Sequence, residues 1–182
     1  MSIILTKSMI QDQSPKTLDQ TSKIYIRSAQ IEDTEILAEL WLVHRNYHKQ
    51  WSELYSYIPT AQSDYVNQLI IWFHEQNHCI LLAEDEYGKI LGYIHGSCHP
   101  WPVSPFEHYG SLNTITVVEE ARGRGIGKKL VNKILEWFKE HQIQHVSLHV
   151  DYRNDIALNL YRGVGFQHYH HRLILNLNTE FI

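Results

Sequence analysis

The stretch Val117-Val118-Glu119-Glu120-Ala121-Arg122-Gly123-Arg124-Gly125-Ile126-Gly127-Lys128-Lys129-Leu130 constrains this chain more than any other. A β-branched run feeds an Arg/Gly loop, and the loop feeds an amphipathic helix. Three glycines at alternate positions remove the Cβ atoms that would keep a bulky anion away from the backbone. The helix that follows turns its unpaired N–H groups and its positive dipole end toward the same spot. Such a loop suits a phosphate or pyrophosphate; the plainer reading is a Gly-rich strand-to-helix turn with no ligand. Two familiar phosphate loops are excluded. A Walker-type loop needs Gly-Lys-Ser/Thr with a hydroxyl for magnesium, whereas Gly127 is followed by Lys128-Lys129. A dinucleotide fingerprint needs G-x-G-x-x-G, and the chain has G-x-G-x-G with arginines interleaved.

Around this loop the hydrophobic pattern predicts an alternation of strands and helices. Ile24 to Arg27 alternates as a strand. From Ile31 a helix follows, with Ile36, Leu37, Leu40, Trp41 and His44 on one side. A second helix is expected over Ser63–Gln76, with Ser63 as its N-cap. Strands are expected at Ile80–Glu84 and Ile90–Ser97, joined by a turn at Glu86-Tyr87-Gly88. Cys98 to Pro105 holds three prolines and reads as a loop. A strand at Tyr109–Val118 leads into the Arg/Gly loop. Ile126, Leu130, Ile134 and Phe138 then recur every four residues, as a helix burying one face requires. A strand at Gln144–Val150, a short helix at Asp155–Arg162 stopped by Gly163 or Gly165, and a last strand over about Gln167–Leu177 complete the order. No repeat or linker divides the chain. Residues 1–22 read as an N-terminal extension ahead of one domain over 23–182.

Composition narrows the function classes. The chain has 182 residues, 43% hydrophobic and 20% charged, enough to bury a sizeable core. Its net charge of −4 argues against a general nucleic-acid binder. Arg122, Arg124, Lys128 and Lys129 form a local positive patch that suits one anionic ligand better than a polyanion. Two cysteines, Cys79 and Cys98, read as reduced thiols in a cytoplasmic protein. No apolar run approaches a membrane span, and Met1 to Leu5 is too short for a secretory signal. His168-Tyr169-His170-His171 offers two histidines on one strand face with no third ligand, so no metal site is assigned.

The element order, with Arg122, Gly125 and Gly127 as Arg-x-x-Gly-x-Gly, resembles the GNAT superfamily of N-acetyltransferases over roughly Ile24 to Leu177. The resemblance implies an α/β fold, a mixed central sheet flanked by helices, whose fourth and fifth strands splay to admit acetyl-CoA as co-substrate. It implies that Ile115, Thr116, Val117 and Val118 offer backbone groups to the pantetheine arm. Arg122, Gly123, Arg124, Gly125, Ile126, Gly127 and Lys128 would form the pyrophosphate loop. Glu119 stands where many relatives carry proline. Asn154 fits the asparagine that holds the pantetheine arm, or it is an ordinary turn residue. Tyr161, within Leu160-Tyr161-Arg162-Gly163-Val164-Gly165-Phe166, matches a Tyr-x-x-x-Gly-Phe element whose phenol protonates the leaving thiolate.

The reaction implied is direct attack of an amine on the thioester, helped by proximity and by oxyanion-type hydrogen bonding near Val117. The general base is open. The strand Ser111-Leu112-Asn113-Thr114-Ile115-Thr116 carries no acid, which leaves Glu107, His149 or ordered water. An aromatic acceptor side is expected from Trp41, Tyr47, Trp51, Tyr55, Tyr57, Trp72 and Trp101. Core packing is the simpler role for Trp41 and Trp72. The acceptor would be a small amine, a protein N-terminus or a lysine, and the state a monomer or homodimer. A non-catalytic acyl-CoA-binding module is the reading from another class.

Overall fold

In the computed structural model, residues 22–175 are described. The expected extension therefore lies outside the described residues, apart from Ser22. β1 (Ile24–Ser28), β2 (His78–Asp85), β3 (Ile90–Pro100), β4 (His108–Val117) and β5 (Val146–Leu148) form one sheet in that spatial order. β1 to β4 pair antiparallel, and β5 joins β4 in parallel. α1 (Thr34–His48) and α2 (Ala61–Phe73) lie between β1 and β2 in the chain, α3 (Ile126–Glu140) follows β4, and α4 (Asp155–Arg162) follows β5. Among the described residues, no helix is long and apolar enough to cross a membrane.

Each face of the sheet buries its own core. Leu37, Leu40, Tyr65 and Leu69 of α1 and α2 pack with Ile80, Leu82 and Tyr93. On the other face Ile126, Leu130, Ile134 and Phe138 of α3 pack with Leu81, Leu91, Ile94 and Leu112. The four-residue apolar repeat read in α3 is the stripe that reaches zero or near-zero exposure. Phe138 lies against the bare backbone of Gly96 and Gly110, where an added Cβ would come within 2.7–2.9 Å of its ring.

Several boundaries differ from the sequence pattern, each for a local reason. α2 begins at Ala61 after Thr60; Ser63 is not the cap, and its hydroxyl instead donates to Thr60 O at 2.8 Å. β3 runs through Cys98 and His99 to Pro100, because its first proline falls on the last residue of the strand, where the missing N–H costs no interior ladder bond. β5 is only three residues long. α4 has Gly163 as its C-cap residue, and it is Gly165, at φ +104°, that takes the left-handed turn. The expected last strand is absent through residue 175, where His168 to Leu175 are exposed and unpaired with the sheet; its end lies outside the described residues. The shared strand face of His168 and His170 therefore does not exist.

Candidate active site

β4 and β5 pair only at Gly110–Val146, Ser111–Ser147 and Leu112–Leu148. Past Leu112 the strands separate, and Asn113 to Val117 lose their partner on that side, while Thr114 to Val117 stay paired to β3. A register shift between His95 and Gly96 makes Asn113 the extra residue of β4, a bulge at the point of separation. The backbone edge so exposed contains Ile115, Thr116 and Val117. The Thr116 hydroxyl is buried with no hydrogen-bond partner among the described residues.

The Arg/Gly loop caps the open end of this cleft. Glu119–Ala121 make one 3₁₀ turn, and α3 starts at Ile126 with Gly125 as N-cap. Gly123 and Gly125 hold φ of +79° and +74°, the left-handed region that disfavours a Cβ. Nothing lies within 4 Å of where a Cβ would sit at either position. Lys129 N–H is the one that reaches Gly125 O, at 3.1 Å. The earlier amides of Ile126, Gly127 and Lys128 have no carbonyl one turn back to bond. Gly125 has no side chain to cap them, and no acid occupies the first turn; Lys128 and Lys129 do. Two cations at the positive end of a helix oppose its dipole. Unpaired amides, bare glycines and added positive charge make this helix start suited to an anion such as a phosphate or diphosphate.

The arginines are already partly engaged. Arg124 donates from Nη2 to Ser22 O and Oγ at 3.0 and 2.9 Å, tying the start of the described chain to the loop. Its Nε and Nη1 are buried without a partner among the described residues, donors that anionic oxygens would satisfy. Arg122 donates from Nε to Val117 O at 3.2 Å and lies 5.0 Å from the Tyr47 ring.

Asn154 is 6% exposed, and its Oδ1 accepts from Ala157 N at 3.1 Å, so it caps α4. Tyr161 is 7% exposed, and burial pushes its phenol up to about 12, which keeps it protonated at neutral pH. Its ring meets Phe166 edge-on, with centroids 5.8 Å apart.

The base candidates separate. Glu107 lies beside His108, at the far end of β4 from the bulge; the six residue steps from it to Asn113 span roughly 20 Å of extended chain. His149 is exposed and directly follows β5, at the separation point. Sequence reasoning missed His95, which is 1% exposed and has its Nε2 3.5 Å from Asn113 Nδ2. Its place opposite the bulge could be found only from the pairing register.

The aromatic side divides in two. Trp41 stacks on Tyr65 at 4.5 Å and Trp72 meets Tyr65 edge-on at 5.8 Å, both over the core. The faces expected to hold a ligand amine already hold cations of the chain: Arg45 over Trp41 and Tyr55, Lys49 over Tyr57. Trp101 belongs elsewhere, packed with Phe106, Tyr109 and His145. Arg153 donates to Trp51 O at 2.8 Å, joining the α1–α2 loop to the segment after β5. Cys79 and Cys98 are free thiols, raised by burial to about 12 and about 11. Among the described residues no group of three or more His, Cys, Asp or Glu could hold a metal ion.

Comparison with known proteins gives the family and the fold. The model of the Acetyltransferase (GNAT) family matches residues 37–166. A mycothiol acetyltransferase of Paenarthrobacter aurescens is 32% identical over 95 residues, which is 52% of this chain and 28% of that protein. The N-alpha-acetyltransferase RimI of Mycobacterium tuberculosis is 38% identical over 80 residues, 44% of this chain and 47% of that protein. The chain thus spans less than half the length of these curated relatives. A predicted acetyltransferase of Clostridium acetobutylicum, crystallised with acetyl-CoA, superposes with a TM-score of 0.70 at 18% identity, covering 85% of this chain and 97% of that one.

Proposed function

The chain belongs to the acetyltransferase (GNAT) family, and on that premise we propose that it moves an acetyl group from acetyl-CoA to a primary amine by direct attack. One observation carries the reading. The helix start at Gly125 has open glycines, lysines and no acid, and it stands beside a strand edge left unpaired from Asn113 to Val117. An elongated ligand with an anionic end and an amide-bearing arm satisfies both features at once.

In this reading the amides of Ile126, Gly127 and Lys128 hold the diphosphate, with Arg122, Gly123 and Arg124 completing the loop. Ile115, Thr116, Val117 and Val118 pair with the pantetheine arm. Arg122 leaves Val117 O as the arm arrives. Asn154 steadies the arm from the start of α4 while its Oδ1 caps the helix. Tyr161 stays protonated at neutral pH and gives its proton to the leaving thiolate. Holding amine and thioester together in the cleft supplies the remaining acceleration. The acceptor is a small amine, or a protein N-terminus or lysine.

The test is calorimetry with acetyl-CoA and with free coenzyme A, followed by thiol release with tryptamine, glucosamine, kanamycin and a peptide with a free amino terminus. Micromolar binding with turnover of at least one amine is expected. No binding of either coenzyme form refutes the reading. A second reading, a non-catalytic acyl-CoA-binding module, is favoured by the lack of any acid between Ser111 and Thr116. Binding with no turnover of any amine would establish that module instead.

A further inference from the structure

A chain of polar side chains crosses the α2-facing side of the sheet, and acetyl transfer as derived above uses none of it. Glu75, just past α2, places Oε2 3.1 Å from His78 Nε2. His78 Nδ1 lies 2.9 Å from His95 Nε2. Trp72 covers both rings, 5.2 Å from His78 and 4.4 Å from His95. His95 is 1% exposed, and its Nδ1 is buried with no hydrogen-bond partner among the described residues. Asn113 ends the chain at the cleft, with Nδ2 3.5 Å from His95 Nε2 and donating to Ser97 Oγ at 2.8 Å. Ser97 Oγ in turn meets His99 Nε2 at 2.8 Å.

Counting donors fixes the protons. The Glu75 carboxylate only accepts, so His78 carries its hydrogen on Nε2. A neutral His78 then has a bare Nδ1, which accepts from His95 Nε2–H. His95 Nδ1 is left as a bare lone pair. Burial, with the neighbouring His78 and His99, holds His95 down to about 3, so the ring rests neutral. Tyr93 of β3 and Tyr65 of α2 also lie on this face, with hydroxyls 3.4 Å apart, and burial keeps both protonated; His44 of α1, on the same side, is held neutral by burial. A buried lone pair without a donor is costly, and an ordered water is its usual partner.

We propose that Glu75, His78 and His95 form a proton relay behind the cleft, entered through an ordered water at His95 Nδ1 and serving the attacking amine. The proposal rests on the acetyl-transfer reading. As the nitrogen–carbon bond forms and the carbon–sulfur bond breaks, the amine N–H proton passes through the water to His95 Nδ1. The proton on His95 Nε2 moves to His78 Nδ1. His78 becomes an imidazolium facing the Glu75 carboxylate, and Asn113 Nδ2 can then donate to the bare His95 Nε2. The thiolate takes its proton from Tyr161. The stored proton leaves along the same atoms to solvent, and the Tyr161 phenolate takes a proton from solvent, which restores every group. Glu75 and His78 act through His95 and are positioning residues. The relay supplies the base that β4 lacks.

The experiment compares the pH dependence of kcat for wild type and Glu75→Gln, using acetyl-CoA and the fastest amine of the panel so that the acceptor's own ionisation cancels. Glu75 raises the proton affinity of His78 against the effect of burial. Removing its charge makes the relay a weaker base. The acidic limb of the profile is expected to move to lower pH, and the plateau to fall about threefold, as a general base weakened by about one unit would give. A merely structural role would lower the plateau and leave the limb in place. The Glu75 side chain is 45% exposed, so this variant should fold even if a core variant does not. His95→Gln, where it folds, is expected to lose about a hundredfold in kcat, the size of a general-base contribution, with an unchanged KM for acetyl-CoA. Superimposable wild-type and Glu75→Gln profiles overturn the relay alone. Absence of wild-type turnover overturns the acetyl-transfer reading and the relay with it.

Discussion

Replacing Gly125 with alanine separates the backbone cost of the loop from its ligand. Gly125 sits at φ +74° with nothing within 4 Å of the added Cβ. Strain alone sets the stability cost, about 1–2 kcal/mol for an L-residue in the left-handed region. That corresponds to a fall of roughly 2–4 °C in Tm per kcal/mol for a chain of this size. Gly88, in the β2–β3 turn, offers a matched control at φ +79° with equally open space. Gly88→Ala and Gly125→Ala should therefore lose similar stability in thermal unfolding. Only at Gly125 does the open space lie in front of the α3 amides. Calorimetry should show the Kd for coenzyme A rising at least about tenfold in Gly125→Ala, or about 1.4 kcal/mol, with Gly88→Ala unchanged. Equal affinity in the two variants would refute the assignment of this helix start to the diphosphate.

Tyr161→Phe removes only the hydroxyl, so acetyl-CoA binding should persist in calorimetry while kcat falls about a hundredfold, as loss of a general acid requires; an unchanged kcat would take the phenol out of the mechanism. Phe138→Ala empties a 1%-exposed site between Gly96 and Gly110 and should cost about 3–5 kcal/mol in urea unfolding; a loss below 1 kcal/mol would contradict the packing described. His44 and His95 are held by burial at about 3, well below their unfolded value of 6.5. The unfolded chain then binds more protons as pH falls below 6.5, so stability declines from pH 6.5 toward pH 3. The decline should be about 2 kcal/mol per histidine by pH 5, read as a lower urea midpoint; equal midpoints at pH 7 and pH 5 would refute it.

What the sequence made legible followed from short-range regularity. The α3 stripe is a four-residue repeat that marks the helix and its buried face, and α4 was readable at Asp155–Arg162 with a glycine behind it. The loop was readable because alternate glycines have a backbone cause, found here as two left-handed residues. Boundaries set by partners were not readable. β3 extends to Pro100 because Tyr109 and His108 are there to pair with it. Ser63 looked like a cap, but Thr60 and Ala61 set the helix start. Nothing in the order of residues shows that His78, His95 and Asn113 converge, since 17 and 18 positions separate the contacting pairs. The placement of Trp101 away from Trp41 was equally hidden, because it depends on β3 and β4 staying paired out to Pro100.

The three-residue length of β5 has an outcome of its own for handling the protein. From Asn113 to Val117 the neighbouring strand shows bare main-chain groups to any extended peptide, a foreign copy included. Whatever lines that edge in the loaded protein also blocks such adhesion. Preparations stripped of small molecules should accordingly clump sooner than those kept with coenzyme, and light scattering over storage time would record the difference.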